Sequence, residues 1–425
     1  MAANTKTAGM AVAVTGIGII TPLGRGRDEN WKKLTAGTSG IHRITRFPTE
    51  GLRTTIAGSV DFMDVKPIPP LLSYALAEAA AAEALKQSGL PEDDEFPGEL
   101  FVAAPPLEHD WETRLALCHK LSAGPHDPYG LPGTPFAPNE DLRDAHRNFM
   151  GGTLADHLAA KFRTQGSPIT LTTACASGAS AIQLGVEAIR RGNCRAALAV
   201  ASDGSIQEEA LIRFSLLSAL STKNEVPEKA SRPFSKNRDG FVMAEGGAAL
   251  VLEHPEAARA RGARILAYVR GCGEAADTFH RTRSNPNGLA IIRSIQGAID
   301  DAGIPPEAVG YINAHGTGTP ENDKMEYFGI EKVFGAHTQK LAVSSNKSMI
   351  GHTLTAAGAV EASFSILTIV DGILPPTINY DVPDPALPLD VVPNVARKAE
   401  VEYVLSNSFG FGGQNVSLVF GAAER

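Results

Sequence analysis

Three side chains in this 425-residue sequence have the types and settings for covalent carbonyl chemistry: Cys175, His315 and His352. Cys175 stands in Thr173-Ala174-Cys175-Ala176-Ser177-Gly178, after a β-branched run from Ile169 and ahead of a helical pattern in which Ile182, Val186 and Ile189 share one face. A thiol at a helix N-terminus meets backbone N–H groups and the positive end of the macrodipole, both of which favour thiolate. The small neighbours permit a sharp turn and close approach by a substrate. A cysteine taken alone also reads as a small buried apolar residue. His315 follows a strand-like run in Asn313-Ala314-His315-Gly316-Thr317-Gly318-Thr319-Pro320, and His352 ends Asn346-Lys347-Ser348-Met349-Ile350-Gly351-His352. Each histidine alone reads as a core imidazole, but a thiol and two imidazoles at equivalent strand-to-helix junctions read together as a chemical site. Asn407-Ser408-Phe409-Gly410-Phe411-Gly412-Gly413 adds a glycine-rich turn able to present an amide N–H to an oxyanion. Alone it also reads as a bulge flanked by core phenylalanines.

The elements that must position these residues repeat. Ser73 to Leu90 is an Ala-rich helical pattern ending at Gly89, followed by a strand at Leu100 to Ala104; Ala290 to Ile304, ending at Gly303, precedes a strand at Val309 to Ala314. Ile169 to Thr173 leads through Cys175 into a small-residue helix, and Leu341 to Ser345 leads through His352 into another. Each half closes on a Gly-Gly strand, at Gly246 to Leu252 and at Gly412 to Phe420. This matching order indicates duplication, with halves at 1–253 and 254–425. The first half carries a Pro-, His- and Asp-rich insertion at about 105–150, expected to be a long loop with short helices. Strands alternating with helices give an α/β fold with buried sheets.

Composition narrows the classes. The sequence is 43% hydrophobic and 20% charged, with formal net charge −8, which argues against a nucleic-acid binder. Arg190, Arg191 and Arg195 form a local basic cluster, read either as a contact for something anionic or as a solvated helix end. Four cysteines without a CxxC pair fit a reducing compartment. The N-terminal apolar run is broken by Thr15, Gly16 and Gly18, and no later stretch is expected to reach membrane-spanning length, so the cytoplasm is the default.

The runs around Cys175, His315, Lys347 to His352 and Asn407 to Gly413 resemble, in order, those of the β-ketoacyl-acyl-carrier-protein synthases. Ser231-Arg232-Pro233-Phe234, Arg238-Asp239-Gly240-Phe241, Val14-Thr15-Gly16-Ile17-Gly18 and Thr21-Pro22-Leu23-Gly24 look like further blocks of that family. The likeness spans nearly the whole chain, is weakest at 105–150, and is nearest to elongating type-II synthases. It implies the thiolase fold, two similar halves packed as αβαβα layers. It also implies decarboxylative condensation of an acyl group on Cys175 with malonyl-acyl-carrier-protein, giving 3-oxoacyl-acyl-carrier-protein. On the resemblance, the N–H groups of Cys175 and Phe411 form the oxyanion hole, and His315 and His352 hold the malonyl thioester and its enolate. Lys347 supports them, Phe411 gates the site, and Thr317 and Thr319 bind the phosphopantetheine arm. Phe241, Phe409 and Gly410 complete the substrate-binding set. No cofactor or metal is implied beyond the arm on the acyl-carrier protein, and a homodimer pairing through Ile169 to Thr173 is expected.

A dinucleotide site at Gly16-Ile17-Gly18 fails because Thr21 stands where a third glycine belongs. A zinc site on Cys175, His315 and His352 lacks a closely spaced ligand pair. A thiolase would need a second motif cysteine, which neither Cys194 nor Cys272 supplies, and a chain-length partner would lack the nucleophile. Two departures put substrate choice in question: Gln414 replaces a usual Thr, and Pro105-Pro106-Leu107-Glu108-His109-Asp110 replaces a Gly-rich loop.

Overall fold

The computed structural model describes residues 9–90, 95–106, 109, 111–122, 143, 147 and 150–424. The first half contributes β1 (Val12–Thr21), β2 (Glu99–Ala103), β3 (Ile169–Leu171), β4 (Ala196–Asp203) and β5 (Gly246–Glu253). The second contributes β6 (Ala267–Ala276), β7 (Val309–Asn313), β8 (Ala342–Ser344), β9 (Tyr403–Phe409) and β10 (Gln414–Ala422). The strands run β8-β7-β9-β10-β6-β1-β5-β4-β2-β3. Read outward from the seam where β6 meets β1, each half has the same order and sense. The first two pairings are antiparallel (β1–β5–β4 and β6–β10–β9), and the next two are parallel (β4–β2–β3 and β9–β7–β8). The seam is narrow: Val12 to Val14 pair with Val269 to Ala267.

Helices make the other layers. On the outside, α1 (Pro69–Ser88) packs on β1, β5 and β4. In the middle, α2 (Ser177–Arg190) and α6 (Ala357–Asp371) pack on each other and on both half-sheets. On the far side, α4 (Leu289–Ala302) covers β6 and β10, with α5 (Pro320–Phe334) against it. A further helix, α3 (Glu208–Leu216), follows β4. The result is the expected thiolase-type αβαβα sandwich. α1 and α4 both end on a left-handed glycine, Gly89 and Gly303, at the positions the sequence marks.

The two middle helices are buried on nearly every side. Ile182, Val186 and Ile189 of α2 are at most 1% exposed; each such side chain contributes about 1.5–3 kcal/mol through burial. The helices cross through their smallest residues. A Cβ on Gly178 would lie 2.5 Å from the Ala359 nitrogen, and one on Gly358 would lie 2.4 Å from the Ala179 nitrogen. Any side chain at either glycine would force the helices apart.

Several expectations need correction. The run Leu354–Asp371 is long and apolar enough to cross a membrane by length and composition, contrary to the sequence reading; 78% of it is buried in the middle layer. Gly16 and Gly18 lie inside β1, where a Cβ would meet the α1 carbonyl oxygens of Ala84 and Ala80 at 2.0 Å, so they serve helix packing. Arg190 is buried in an ion pair with Asp301 at 2.6 Å, whereas Arg191 is 69% exposed and pairs with Glu187 one turn away at 2.6 Å, as the solvated-helix-end reading expects. Of the insertion at 105–150, a helix at Trp111–Ser122 is seen; most of the remainder lies outside the described residues.

Candidate active site

The nucleophile candidate sits on a strained turn. Ala174 adopts φ 49°, a left-handed conformation that a non-glycine residue holds only when its surroundings fix it. The turn is closed by the N–H of Ala176 donating to Thr173 O (3.2 Å), that of Ser177 to Ala174 O (3.1 Å), and that of Thr173 to Ser177 Oγ (2.7 Å). α2 starts at Ser177, so Cys175 lies just before its first turn, as the sequence suggests. The thiol is nevertheless pushed up to about 11 by burial, with the Phe411 N–H and the Lys347 charge pulling the other way. Burial therefore outweighs these two stabilising contacts and favours the protonated thiol.

His315 and His352 face each other edge to face, ring centroids 5.3 Å apart, within a chain of rings that runs Phe214–Phe241–His352–His315–Phe409. Burial, together with the Lys347 charge, holds both imidazoles well below their ordinary value, so both are neutral. Their tautomers follow from their neighbours. The N–H of Leu354 donates to His352 Nδ1 at 3.2 Å, and the Lys347 ammonium, which can only donate, lies 3.4 Å from His315 Nδ1. In each ring the proton is left on Nε2.

Backbone clamps hold these rings in place. His352 donates its N–H to Val242 O (2.8 Å) and accepts from Ala244 N–H (2.9 Å). Glu326 of α5 accepts from two successive backbone groups, His315 N–H (2.8 Å) and Gly316 N–H (2.7 Å), and also from Asn407 Nδ2 (3.2 Å). Burial pushes its carboxyl up to about 7. Asp323, one turn earlier, accepts from the N–H of Gly318 (3.1 Å) and of Phe234 (2.7 Å). The blocks at Ser231–Phe234 and Arg238–Phe241 thereby act as a buttress: Ser231 Oγ donates to Lys347 O at 2.7 Å, and Gly240 N–H to Gly318 O at 3.1 Å. Lys347 is 1% exposed; its Nζ donates to His315 O at 2.7 Å and pairs with Glu361 of α6.

Cys175, His315, His352, Phe411, Phe409, Gly410, Phe241, Thr317 and Thr319 all line one cavity of about 410 Å³. Lys347 does not line it and reaches it through His315. The turn at Gly410 is pressed against the cysteine turn, where a Cβ would lie 2.8 Å from Thr173 O. Thr317 and Thr319 bond each other through their hydroxyls (2.9 Å). Thr317 Oγ1 also accepts from Thr319 N–H, and Thr319 Oγ1 from Asn322 N–H, both at 3.2 Å. Of their two hydroxyl protons, one is spent in the mutual bond and the other remains for a ligand. Gln414 points elsewhere: its Nε2 donates to Glu274 of β6 at 2.7 Å, and only its backbone carbonyl touches the turn, accepting from Gly410 N–H at 2.7 Å.

With this geometry, the comparisons with known proteins are decisive. Residues 10–258 match the family model for the N-terminal domain of β-ketoacyl synthases and residues 266–381 that for the C-terminal domain. The chain belongs to the β-ketoacyl synthase family. A 3-oxoacyl-[acyl-carrier-protein] synthase 2 of Coxiella burnetii is 38% identical over 96% of this chain and 97% of its own length. A Streptomyces cyaneus protein named for polyketide β-ketoacyl synthesis is also 38% identical, over 97% and 99%. A type II polyketide ketosynthase solved with its acyl-carrier protein superposes with TM-score 0.86 at 32% identity, over 97% of this chain and all of that one. This ketosynthase is thus an acyltransferase of the condensing class.

The sequence reading missed Glu361, Glu326 and Asp323. A signal was present for each. Glu361 is the lone charge in the apolar run Ala356 to Ala362. Asp323 and Glu326 lie on the same buried face of α5 as Ile330 and Phe334, which places two carboxylates where the helix meets the core. Phe214 and Leu217 on one wall, and residues 280–284 on another, carried no such signal.

Proposed function

We propose that this ketosynthase condenses an acyl group, carried as a thioester on Cys175, with malonyl-acyl-carrier-protein. The observation that carries this reading is the pair of neutral imidazoles whose Nε2–H groups, fixed by Leu354 and Lys347, share one cavity with the thiol. In the first half-reaction the Cys175 sulfur attacks the acyl thioester, and its proton ends on the departing carrier thiol. In the second, the malonyl thioester oxygen accepts from His315 and His352 as the carboxylate leaves as carbon dioxide. The resulting enolate carbon attacks the acyl carbonyl, whose oxygen accepts from the N–H groups of Cys175 and Phe411. The intermediate collapses, Cys175 departs and is reprotonated, and the cycle consumes one proton overall. Neutral N–H donors in a buried site stabilise an enolate more effectively than they would in water. Phe411 acts as the gate, and the free hydroxyl proton of the Thr317–Thr319 pair binds the arm. The arm on the carrier is the only prosthetic group required.

Three further points are proposals of the same kind. The exposed edge of β3, with Ile169 43% exposed, supports pairing into a homodimer. The free thiols of Cys175, Cys194 and Cys272 support a cytoplasmic setting. The equal identity to a synthase 2 and to a polyketide-named relative supports, as a second reading beside fatty-acid elongation, a specialised very-long-chain or polyketide-type acyl group. Condensation measured across acyl-carrier-protein substrates of graded length separates these two readings. Cys175→Ala should abolish both acyl-enzyme formation and condensation. An electrophile such as cerulenin should label Cys175 ahead of Cys194 and Cys272. An acyl-enzyme that survives in Cys175→Ala would overturn the assignment.

A further inference from the structure

The wall formed by residues 280–284 has no role in the chemistry above. The segment begins after Asp277, whose carboxylate accepts from the N–H groups of Phe279 (2.9 Å) and Asn285 (2.7 Å), closing the loop at both ends. Its outer surface is open: Phe279 is 54% exposed, and His280, Arg281 and Arg283 are exposed as well. His280, Arg281, Thr282, Arg283 and Ser284 all line the cavity that holds Cys175 and the two histidines. Neither guanidinium is paired with a carboxylate among the described residues. Of the carboxylates lining the same cavity, Asp277 is engaged by the backbone N–H groups just given, and Glu321 lies in the first turn of α5, on the Thr319 side. In a chain of net charge −8, two unpaired arginines two residues apart at the rim of the catalytic cavity are a local excess of positive charge.

We propose that Arg281 and Arg283 form an anion subsite that holds the phosphodiester of the substrate's phosphopantetheine arm. The proposal rests on the carrier-protein reading of the site. Each substrate arrives as a thioester at one end of an arm whose other end is a phosphodiester. With the sulfur at Cys175 and the arm beside Thr317 and Thr319, the phosphodiester must lie toward the mouth of the cavity. Guanidinium groups suit it: their planar donors match phosphate oxygens in pairs, and they are charged at every working pH. The Thr282 and Ser284 hydroxyls between and beside the arginines offer further donors. The subsite would select phosphorylated arms over bare thioesters and would anchor the arm independently of the acyl chain.

The test compares three acyl donors of equal chain length, with the same malonyl substrate throughout. They are an unphosphorylated pantetheine thioester, a phosphopantetheine thioester and the acyl-carrier protein itself. In the wild type, all three should acylate Cys175, the phosphorylated donors with higher kcat/KM. In Arg281→Gln/Arg283→Gln, the ratio of kcat/KM for phosphopantetheine over pantetheine should fall by ~tenfold or more, the scale of one charge-assisted hydrogen bond. The loss should appear in KM, and the wild type's preference for the phosphorylated donor should shrink as salt is raised. An unchanged ratio overturns the subsite, as does an equal loss on both small donors. A loss confined to the carrier protein also overturns it, by assigning the arginines to carboxylates on the carrier surface. If the wild type is acylated by none of the three, it is the reading of the site that fails.

Discussion

Substituting Lys347 by methionine isolates the buried charge pair behind His315. Burial lifts the Glu361 carboxyl from its ordinary 4.5 to about 7, although Lys347 beside it pulls the value down. At ~1.4 kcal/mol per pH unit, carrying this raised value costs the fold about 3 kcal/mol once the pH passes through it. The sign follows from the upward direction: the contribution is complete below 4.5 and is lost as pH rises through about 7. Without Lys347 the folded value climbs further, so Lys347→Met goes on losing stability at pH values where the wild type has levelled off. At pH 6 the variant should lose about 1–2 kcal/mol, from the bonds to His315. At pH 9 the loss should approach about 3–5 kcal/mol, the usual consequence of leaving one member of a buried pair alone. Lys347→Met/Glu361→Gln should recover most of the pH 9 loss. Urea denaturation of the three proteins at the two pH values measures this directly. A Lys347→Met deficit that is the same at pH 6 and pH 9, or a double variant no more stable than the sum of the singles, would refute the reasoning.

Other expectations are narrower. His315→Ala and His352→Ala should each slow malonyl decarboxylation by about a hundredfold to a thousandfold, the effect of losing one oxyanion donor. Radiolabelled acyl transfer to Cys175 should fall far less, and equal loss of both half-reactions would contradict the division of roles. Gly413→Ala should impair turnover more than binding, because φ there is 93° and the new Cβ would lie 1.8 Å from Asp277 O, displacing the turn that carries Phe411; kcat and KM measured together check this. Light scattering at micromolar concentration should give twice the 44.7 kDa of one chain, and a single-chain mass would remove the proposed pairing.

The fold was legible because its strongest signals are local. α1 and α4 are bounded by glycines that take left-handed caps, and the repeated order of helices and strands survives in both halves. The site was legible in part for the same reason. Cys175, His315 and His352 each stand at a junction marked by small residues. The supporting carboxylates escaped because their partners are backbone N–H groups and a lysine distant in sequence, as with Glu326 at the His315 loop and Glu361 at Lys347. The thiol's upward displacement was also out of reach, since it comes from enclosure by several elements at once. The outward direction of the Gln414 side chain was not readable either, because side-chain identity does not say which face of a strand a residue occupies.

The crossing of Gly178 and Gly358 has a consequence for how such a site can originate. It places equivalent points of the two halves in contact, and on its register Thr355 is the counterpart of Cys175, with His352 three residues before it. A pair of identical halves meeting there would present the same group twice, and two like groups cannot divide the labour of attacking and stabilising. Once both halves lie on one chain, each can mutate without the other. A symmetric contact then becomes a polar one, with sulfur on one side of the axis and imidazole on the other. The glycines keep the two ends within reach while their chemistries diverge.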